Sequence, residues 1–317
     1  MLTSRVSQLS CLFESNGCYH IEQTVDTITL PSNMSNGLAI LDNIAIWGRL
    51  ADLLLNIIKH NWTFRRELVK IKSGHLIKAL AVYSFCIVTA ISFLILASDQ
   101  ASVHQKAVIK MALGLILFWI VIGGTLMYLF REPISRPVRN IPLNWKIKFV
   151  LFATALALLE EAVTVTMTNL APFFGSQIGK AFITASANYL HTVLFHSVIV
   201  FIPMLITWSF LLGRYDFSPN QVFLLFGLVG SLAEMSMQPS NIFGGFWFFV
   251  YGLMVFLPAC SIPPADLRGS RTPKFRHYVL AVVLPLASPI MFLPAAPLLK
   301  YLYDIMDPVF FVDSPFA

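Results

Sequence analysis

The chain has 317 residues, of which 57% are hydrophobic and only 12% are charged. A soluble globular domain carries about twice that charged fraction, so the composition excludes an ordinary soluble protein and indicates that lipid is the main solvent. In a soluble chain the net charge of +6 would suggest nucleic-acid binding. Here the basic residues flank apolar runs, and we interpret them as determinants of topology, with the lipid bilayer as a partner and nucleic acid excluded.

The first 76 residues differ in composition from the apolar runs that follow. Residues 1–37 are polar and rich in Ser, Thr and Asn, which predicts a flexible tail. Residues 38–76 combine an apolar pattern at helical spacing, interrupted by charges, with a basic collar. We expect an amphipathic helix in the membrane interface, anchored by the collar to anionic headgroups. The collar consists of Arg65, Arg66, Lys70, Lys72 and Lys78.

Residues 77–300 contain apolar runs of about the length that crosses a bilayer. They predict an all-α polytopic bundle of seven transmembrane helices. The last run contains four prolines, so we expect it to be kinked. Residues 301–317 follow as a short acidic tail. The runs lie near 77–98, 107–130, 147–170, 190–213, 219–237, 241–258 and 277–299.

The loop charges predict the orientation of these helices. The collar, the 131–148 loop, Arg214 and the 259–276 loop are basic and fall on one side of the membrane, whereas the other side carries few basic residues. Cytoplasmic loops carry the excess of Lys and Arg. We therefore expect a cytoplasmic N-terminus and an external C-terminus. A plasma membrane is the default location, because the sequence contains nothing that resembles an organelle transit peptide.

The third run contains two adjacent carboxylates, Glu160 and Glu161. An ionisable side chain near the bilayer centre costs at least about 2.5–3.5 kcal/mol and usually faces a cavity or a partner. Neighbouring helical residues point about 100° apart, so we expect the two carboxylates to face different directions. Thr164 and Thr168 continue the stripe of Glu161.

Other polar residues lie in the neighbouring runs. His196 falls about two turns into the fourth run, and Glu234 lies near the outer end of the fifth. With a rise of about 1.5 Å per residue, we expect Glu234, His196 and Glu161 to lie roughly 5, 9 and 12 Å below the outer surface. These depths permit one site. We interpret His191 as an interfacial residue and His277 as a flanking one.

Glu160, Glu161, His196 and Glu234 are the candidate catalytic residues. Carboxylates with a histidine could activate water by general base catalysis, bind a metal or relay protons. The sequence contains no His-Glu-x-x-His zinc motif and no nucleotide-binding loop. Whether a metal or another cofactor takes part is open.

The Glu160–Glu161 pair on a transmembrane helix resembles the first motif of the glutamate-type membrane peptidases, the CAAX-protease and bacteriocin-processing (CPBP) family and the PrsW group. His196 is similar to the family's next motif, Phe-x-x-x-His, although Thr192 stands four residues before it. The segment 230–234, which ends in Glu234, is loosely similar to the PrsW motif Phe-Ala-x-x-Glu. The resemblance implies a membrane-embedded peptidase or hydrolase with a membrane-protein substrate. No histidine occurs between His196 and His277, so the family's later histidine motif has no match.

Two other classes of function use the same residues differently. An ion- or proton-coupled transporter would use the glutamates as ion-binding groups, with the proline- and glycine-interrupted later runs as discontinuous helices. A non-catalytic structural subunit would direct the glutamates toward a partner protein. The sequence does not decide among the three.

Overall fold

The computed structural model describes residues 73–237, 245–295, 297, 298 and 301. The predicted tail, the amphipathic helix, most of the basic collar and nearly all of the acidic tail lie outside these residues. Within the described ranges the secondary structure is helical, apart from one isolated β-bridge between Tyr215 and Arg271. This confirms the predicted all-α class.

The described helices follow the predicted apolar runs closely. Between the second and third runs lies a short additional helix, α3, and α9 is a single turn in the basic loop after the sixth run. In chain order the helices are α1 Ser73–Ala97, α2 Val103–Leu129, α3 Arg131–Asn140, α4 Trp145–Asn169, α5 Tyr189–Phe195, α6 Val198–Arg214, α7 Pro219–Met237, α8 Trp247–Cys260, α9 Ala265–Arg268 and α10 Phe275–Ala287.

Among the described residues, three helices are long and apolar enough to cross a membrane: α1, α2 and α4. The pair α5 and α6 qualifies as a fourth if the two count as one bent span, because their axes differ by 44°. The sequence predicted one continuous helix here. The break falls at His196 and Ser197, which lie outside both helices.

Local sequence fixes where two of the long helices begin. Ser102 and Gln105 form a capping box at the start of α2, in which each side chain bonds the other residue's backbone N–H. The Asn144 side chain accepts from the Lys146 N–H at the start of α4. The middle of α2, Ile116–Gly123, is π-helical. There the Trp119 indole donates to the Val250 carbonyl at 3.1 Å and joins α2 to α8.

Glycines allow α7 and α8 to approach closely. A Cβ at Gly230 would overlap the Tyr251 ring, and one at Gly252 would lie 2.7 Å from the Phe223 ring. Small residues are the usual means by which membrane helices bring their backbones together. This contact fixes α8, and with it Tyr251, against α7.

The predicted seventh run is not a straight helix, in agreement with its proline content. The α-helical part, α10, ends at Ala287, and the chain continues as a 3-10 helix over Ser288–Ala295. Proline has no N–H for the helical ladder and clashes with the preceding turn. Pro285 and Pro294 lie inside these two segments.

One buried arginine connects the loops at the predicted cytoplasmic end. The Arg268 side chain is 3% exposed, and its guanidinium donates to the carbonyls of Leu212 and Pro263 and to the Asp216 carboxylate. Leu212 is in the last turn of α6, where backbone carbonyls lack helical partners. Burial lowers the pKa of Arg268 from its ordinary value, and the Asp216 charge opposes that shift.

Candidate functional site

Glu160 and Glu161 lie in the second half of α4, and the side chain of each is buried at 4% exposure. The helix continues past them for two further turns to Asn169. The residues around them on α4 are mostly apolar, and both carboxylates are buried in the bundle. Their polar neighbours come from α4 itself, from the loop that follows it and from other helices.

The carboxylate of Glu160 accepts a hydrogen bond from the same helix. The Thr164 hydroxyl lies 2.8 Å from the Glu160 carboxylate oxygen and 2.9 Å from the Glu160 backbone carbonyl. The sequence had placed Thr164 on the stripe of Glu161, three residues before it, and the structure shows its hydroxyl bonded to Glu160. Thr164 follows Glu160 by four residues, and side chains at that spacing lie on one helix face.

Glu161 turns toward the chain that follows α4. Its carboxylate accepts from the Thr184 hydroxyl at 2.7 Å. The Ser197 hydroxyl lies near the same carboxylate and donates to the Thr192 carbonyl at 3.3 Å. Ser197 lies at the break between α5 and α6. Neither hydroxyl was predicted from the sequence, because Thr184 lies outside every apolar run and a single serine within such a run carries no distinctive signal.

The third carboxylate, Glu234 of α7, joins the same cluster. It accepts a hydrogen bond from the Tyr251 hydroxyl of α8. Glu234 is within electrostatic range of both Glu160 and Glu161, and Tyr251 is within range of all three carboxylates. The three glutamates therefore lie within electrostatic range of one another or of Tyr251. We call Glu160, Glu161, Glu234 and Tyr251 the acid cluster.

Tyr251 was not among the predicted site residues. It is 8% exposed, in an otherwise apolar run. A buried tyrosine hydroxyl usually has a hydrogen-bond partner, and that rule was the one signal from which a polar neighbour of α8 could have been inferred. Glu160 and Glu161 were expected to face different directions, and their hydroxyl partners do differ, while both carboxylates lie within electrostatic range of Tyr251.

His196 does not lie beside the carboxylates. Its side chain is exposed, and its ring centroid is 4.9 Å from that of His191. Within the described residues it forms no hydrogen bond or ion pair with Glu160, Glu161 or Glu234. The cause is the break in the helix, because the predicted position assumed a continuous helix through residue 196.

The other two histidines have different surroundings. His191 is buried at 8% exposure, and its ring packs against those of Phe195 and His196. His277 is stacked on Tyr215 with ring centroids 4.0 Å apart, and its Nδ1 accepts the Lys274 N–H at 2.8 Å. His277 therefore orders the start of α10, which agrees with a flanking role.

In the part of the chain that the structure describes, no three His, Cys, Asp or Glu side chains are spaced to hold a metal ion. The acid cluster consists instead of carboxyl groups and hydroxyl groups. A carboxylate accepts hydrogen bonds and a carboxylic acid also donates one, while hydroxyls do both. Such a set of groups can take up, exchange and release protons.

Comparison of the chain with protein-family models, with curated proteins and with solved structures finds no match. The class of the protein therefore follows from its own architecture. The all-helical fold and the apolar helices long enough to cross a bilayer support an integral membrane protein.

Proposed function

We propose that this protein is a proton-coupled membrane carrier whose acid cluster is the proton-binding site. One observation carries the proposal: Glu160 and Glu161 of α4 and Glu234 of α7 share a buried site with Tyr251 and with neutral hydroxyl groups. Ionisable residues within membrane helices typically mark ion pathways and proton relays.

The charges of the cluster favour proton binding. The charged neighbours of Glu160 are the like-charged Glu161 and Glu234. Carboxylates that share a buried site repel each other, so they do not all ionise together and one proton is held between them. Changing the number of protons in such a site changes its net charge and its hydrogen bonds.

The broken helix offers a way to couple proton binding to movement. Ser197, at the break between α5 and α6, lies near the Glu161 carboxylate and donates to the Thr192 carbonyl of α5. Discontinuous helices at the binding site are typical of secondary transporters. Protonation of Glu161 removes the negative charge beside the Ser197 hydroxyl, and this allows α5 and α6 to change their relative angle.

The full transmembrane arrangement is part of the proposal. Seven helical segments cross the membrane, with α7, α8 and α10 as the short final ones. The N-terminus is cytoplasmic, the C-terminus is external, and the plasma membrane is the location. Alkaline phosphatase fused after Lys180 should then be active outside the cell, while a fusion after Arg136 should be inactive. The reverse pattern would contradict the orientation.

Proton exchange can be measured without knowing the transported substrate. We expect infrared difference spectra of the purified protein, recorded between acid and alkaline pH, to show a buried carboxylic acid C=O band. Glu160→Gln, Glu161→Gln and Glu234→Gln should each shift or remove that band. Glu132→Gln is the matched control, because Glu132 is more than half exposed in an ion pair with Arg139.

The coupling of proton movement to solute transport requires a second measurement, in liposomes loaded with a pH-sensitive dye. Candidate solutes are added as pools, and a solute that is carried with protons changes the internal pH. Glu160→Gln and Glu161→Gln should abolish the pH dependence of flux and leave membrane insertion intact. Flux that keeps its full pH dependence in both variants would contradict the carrier.

A glutamate-type membrane peptidase or hydrolase is the second candidate. It is favoured by the Glu160–Glu161 pair lying with Glu234 and Tyr251, since a carboxylate base and a phenol could activate water and protonate a leaving group. His196 would need to move toward the glutamates to take part. Glu160→Gln or Glu161→Gln should then abolish cleavage of a fluorogenic transmembrane peptide, and full turnover in both variants would exclude the mechanism.

The contacts of the glutamates favour a structural subunit less than a carrier or a peptidase. In a structural subunit the glutamates would face a partner protein. Glu160 and Glu161 are instead buried within their own chain, with hydroxyl partners on α4, the following loop and the α5–α6 break.

A further inference from the structure

An apolar groove opens on the surface between α2 and α4, apart from the acid cluster. It has a volume of about 450 Å³, which is in the range of small-molecule sites. Its floor is the contact of the two helices, where a Cβ at Gly114 would overlap the Met167 sulfur. Its walls consist of Leu113, Leu117, Phe118, Leu170, Phe173 and Phe174.

The wall at one end of the groove is held in place by hydrogen bonds. Beyond α4 the Ser176 N–H donates to the Ala171 carbonyl at 2.9 Å, and the Ser176 hydroxyl bonds His104 Nδ1 of α2 at 2.7 Å. Gly175 has φ +88°, a left-handed conformation that favours glycine. Phe173 and Phe174 therefore extend the groove as a fixed edge, even though Phe173 is 82% exposed.

One cation borders this apolar surface. Lys110 lines the groove and is exposed. It lies seven residues after the start of α2, about 10 Å along the helix, a depth from which a lysine side chain can place its ammonium at the membrane surface. Lys106, one turn earlier on the same helix, does not line the groove. The groove thus has an acyl-sized apolar part and a positive end.

We propose that this groove binds an anionic phospholipid, with an acyl chain along Leu117 and Phe118 and the phosphate against Lys110. The helix α2 is a membrane-span candidate with only 22% of its spanning window buried, so a lipid tail is the occupant that its walls fit. The positive end selects an anionic headgroup, because a basic residue near the membrane surface attracts anionic lipid. This proposal is independent of the function of the acid cluster.

The test is native mass spectrometry of the full-length, delipidated protein with phosphatidylglycerol or phosphatidylcholine added in detergent. We expect phosphatidylglycerol to be retained about fivefold better, the preference expected from one lysine at an anionic surface. Lys110→Gln should remove that preference. Lys180→Gln, the same charge change at an exposed lysine that does not line the groove, should keep it.

A second variant tests the acyl part of the site. Leu117→Trp should fill the groove and lower the retention of both lipids, with helical content unchanged by circular dichroism. Glycerol phosphate, which carries the phosphate without acyl chains, should not compete. Equal retention of the two lipids by the wild type, an unchanged preference in Lys110→Gln, or competition by glycerol phosphate would overturn the proposal. A dimer formed through this face in place of bound lipid would also overturn it.

Discussion

Two charged regions lie at opposite ends of α6, and they are built in opposite ways. Near the end of α6, Arg268 is buried with two backbone carbonyls and the Asp216 carboxylate as acceptors. Just before its start, Ser197 lies near Glu161, one of three like-charged groups in the acid cluster. The guanidinium has an opposite charge and matched acceptors, whereas the carboxylates have hydroxyl groups and one another.

This difference separates a structural role from a functional one. A buried cation with matched acceptors stabilises the fold, because removing it leaves the acceptors unsatisfied. Buried like charges do not stabilise a fold, and perturbed ionisable groups of this kind cluster at functional sites. We therefore assign Arg268 to stability and the acid cluster to function, and four substitutions test this assignment.

The largest effect on stability is expected at Arg268. Arg268→Ala should lower the free energy of unfolding by about 3 kcal/mol, since it leaves the carbonyls of Leu212 and Pro263 without their donor. Unfolding in mixed micelles with a denaturing detergent measures this change. Arg271→Ala is the control, with an exposed side chain and an expected change below about 0.5 kcal/mol. Equal losses in the two variants would refute a structural role for Arg268.

The next effect concerns how the acid cluster is positioned. Gly230→Ala should cost about 2 kcal/mol, because the added methyl group overpacks the contact with the Tyr251 ring. It should also move Tyr251 away from Glu234 and shift the carboxylic acid band. Gly74→Ala is the control, since a Cβ there meets nothing within 4 Å. A free energy of unfolding for Gly230→Ala equal to that of the wild type would contradict the close approach of α7 and α8.

A smaller change is expected at the centre of the acid cluster. Glu160→Gln should leave the free energy of unfolding within about 1 kcal/mol of the wild type, or raise it, because a neutral amide keeps the Thr164 hydrogen bond and relieves repulsion. The same unfolding assay measures it, alongside the proton measurements above. A loss as large as that in Arg268→Ala would mean that the cluster is structural.

The smallest effect is expected at Asp216. Its side chain is 48% exposed, so solvent screens its pairing with Arg268. Asp216→Asn should cost about 0.5 kcal/mol, and added salt should reduce the difference from the wild type. A salt-independent loss above about 2 kcal/mol would show that the carboxylate is an essential partner of the arginine.

The sequence by itself determined the helical class and the positions of most helices. Hydropathy is a local property, so the run at 147–170 predicted α4 at Trp145–Asn169 to within a few residues. The sequence also identified Glu160, Glu161 and Glu234, because a carboxylate in an apolar run can be recognised without a structure.

Only the tertiary structure decided what surrounds those carboxylates. Thr184 and Tyr251 reach them through the loop after α4 and through the glycine contact of α7 with α8. At the break, the Ser197 hydroxyl lies near Glu161, while the His196 side chain is exposed. Where a helix bends and which side chains meet depend on packing between segments distant in the chain, and no single run of residues encodes that packing.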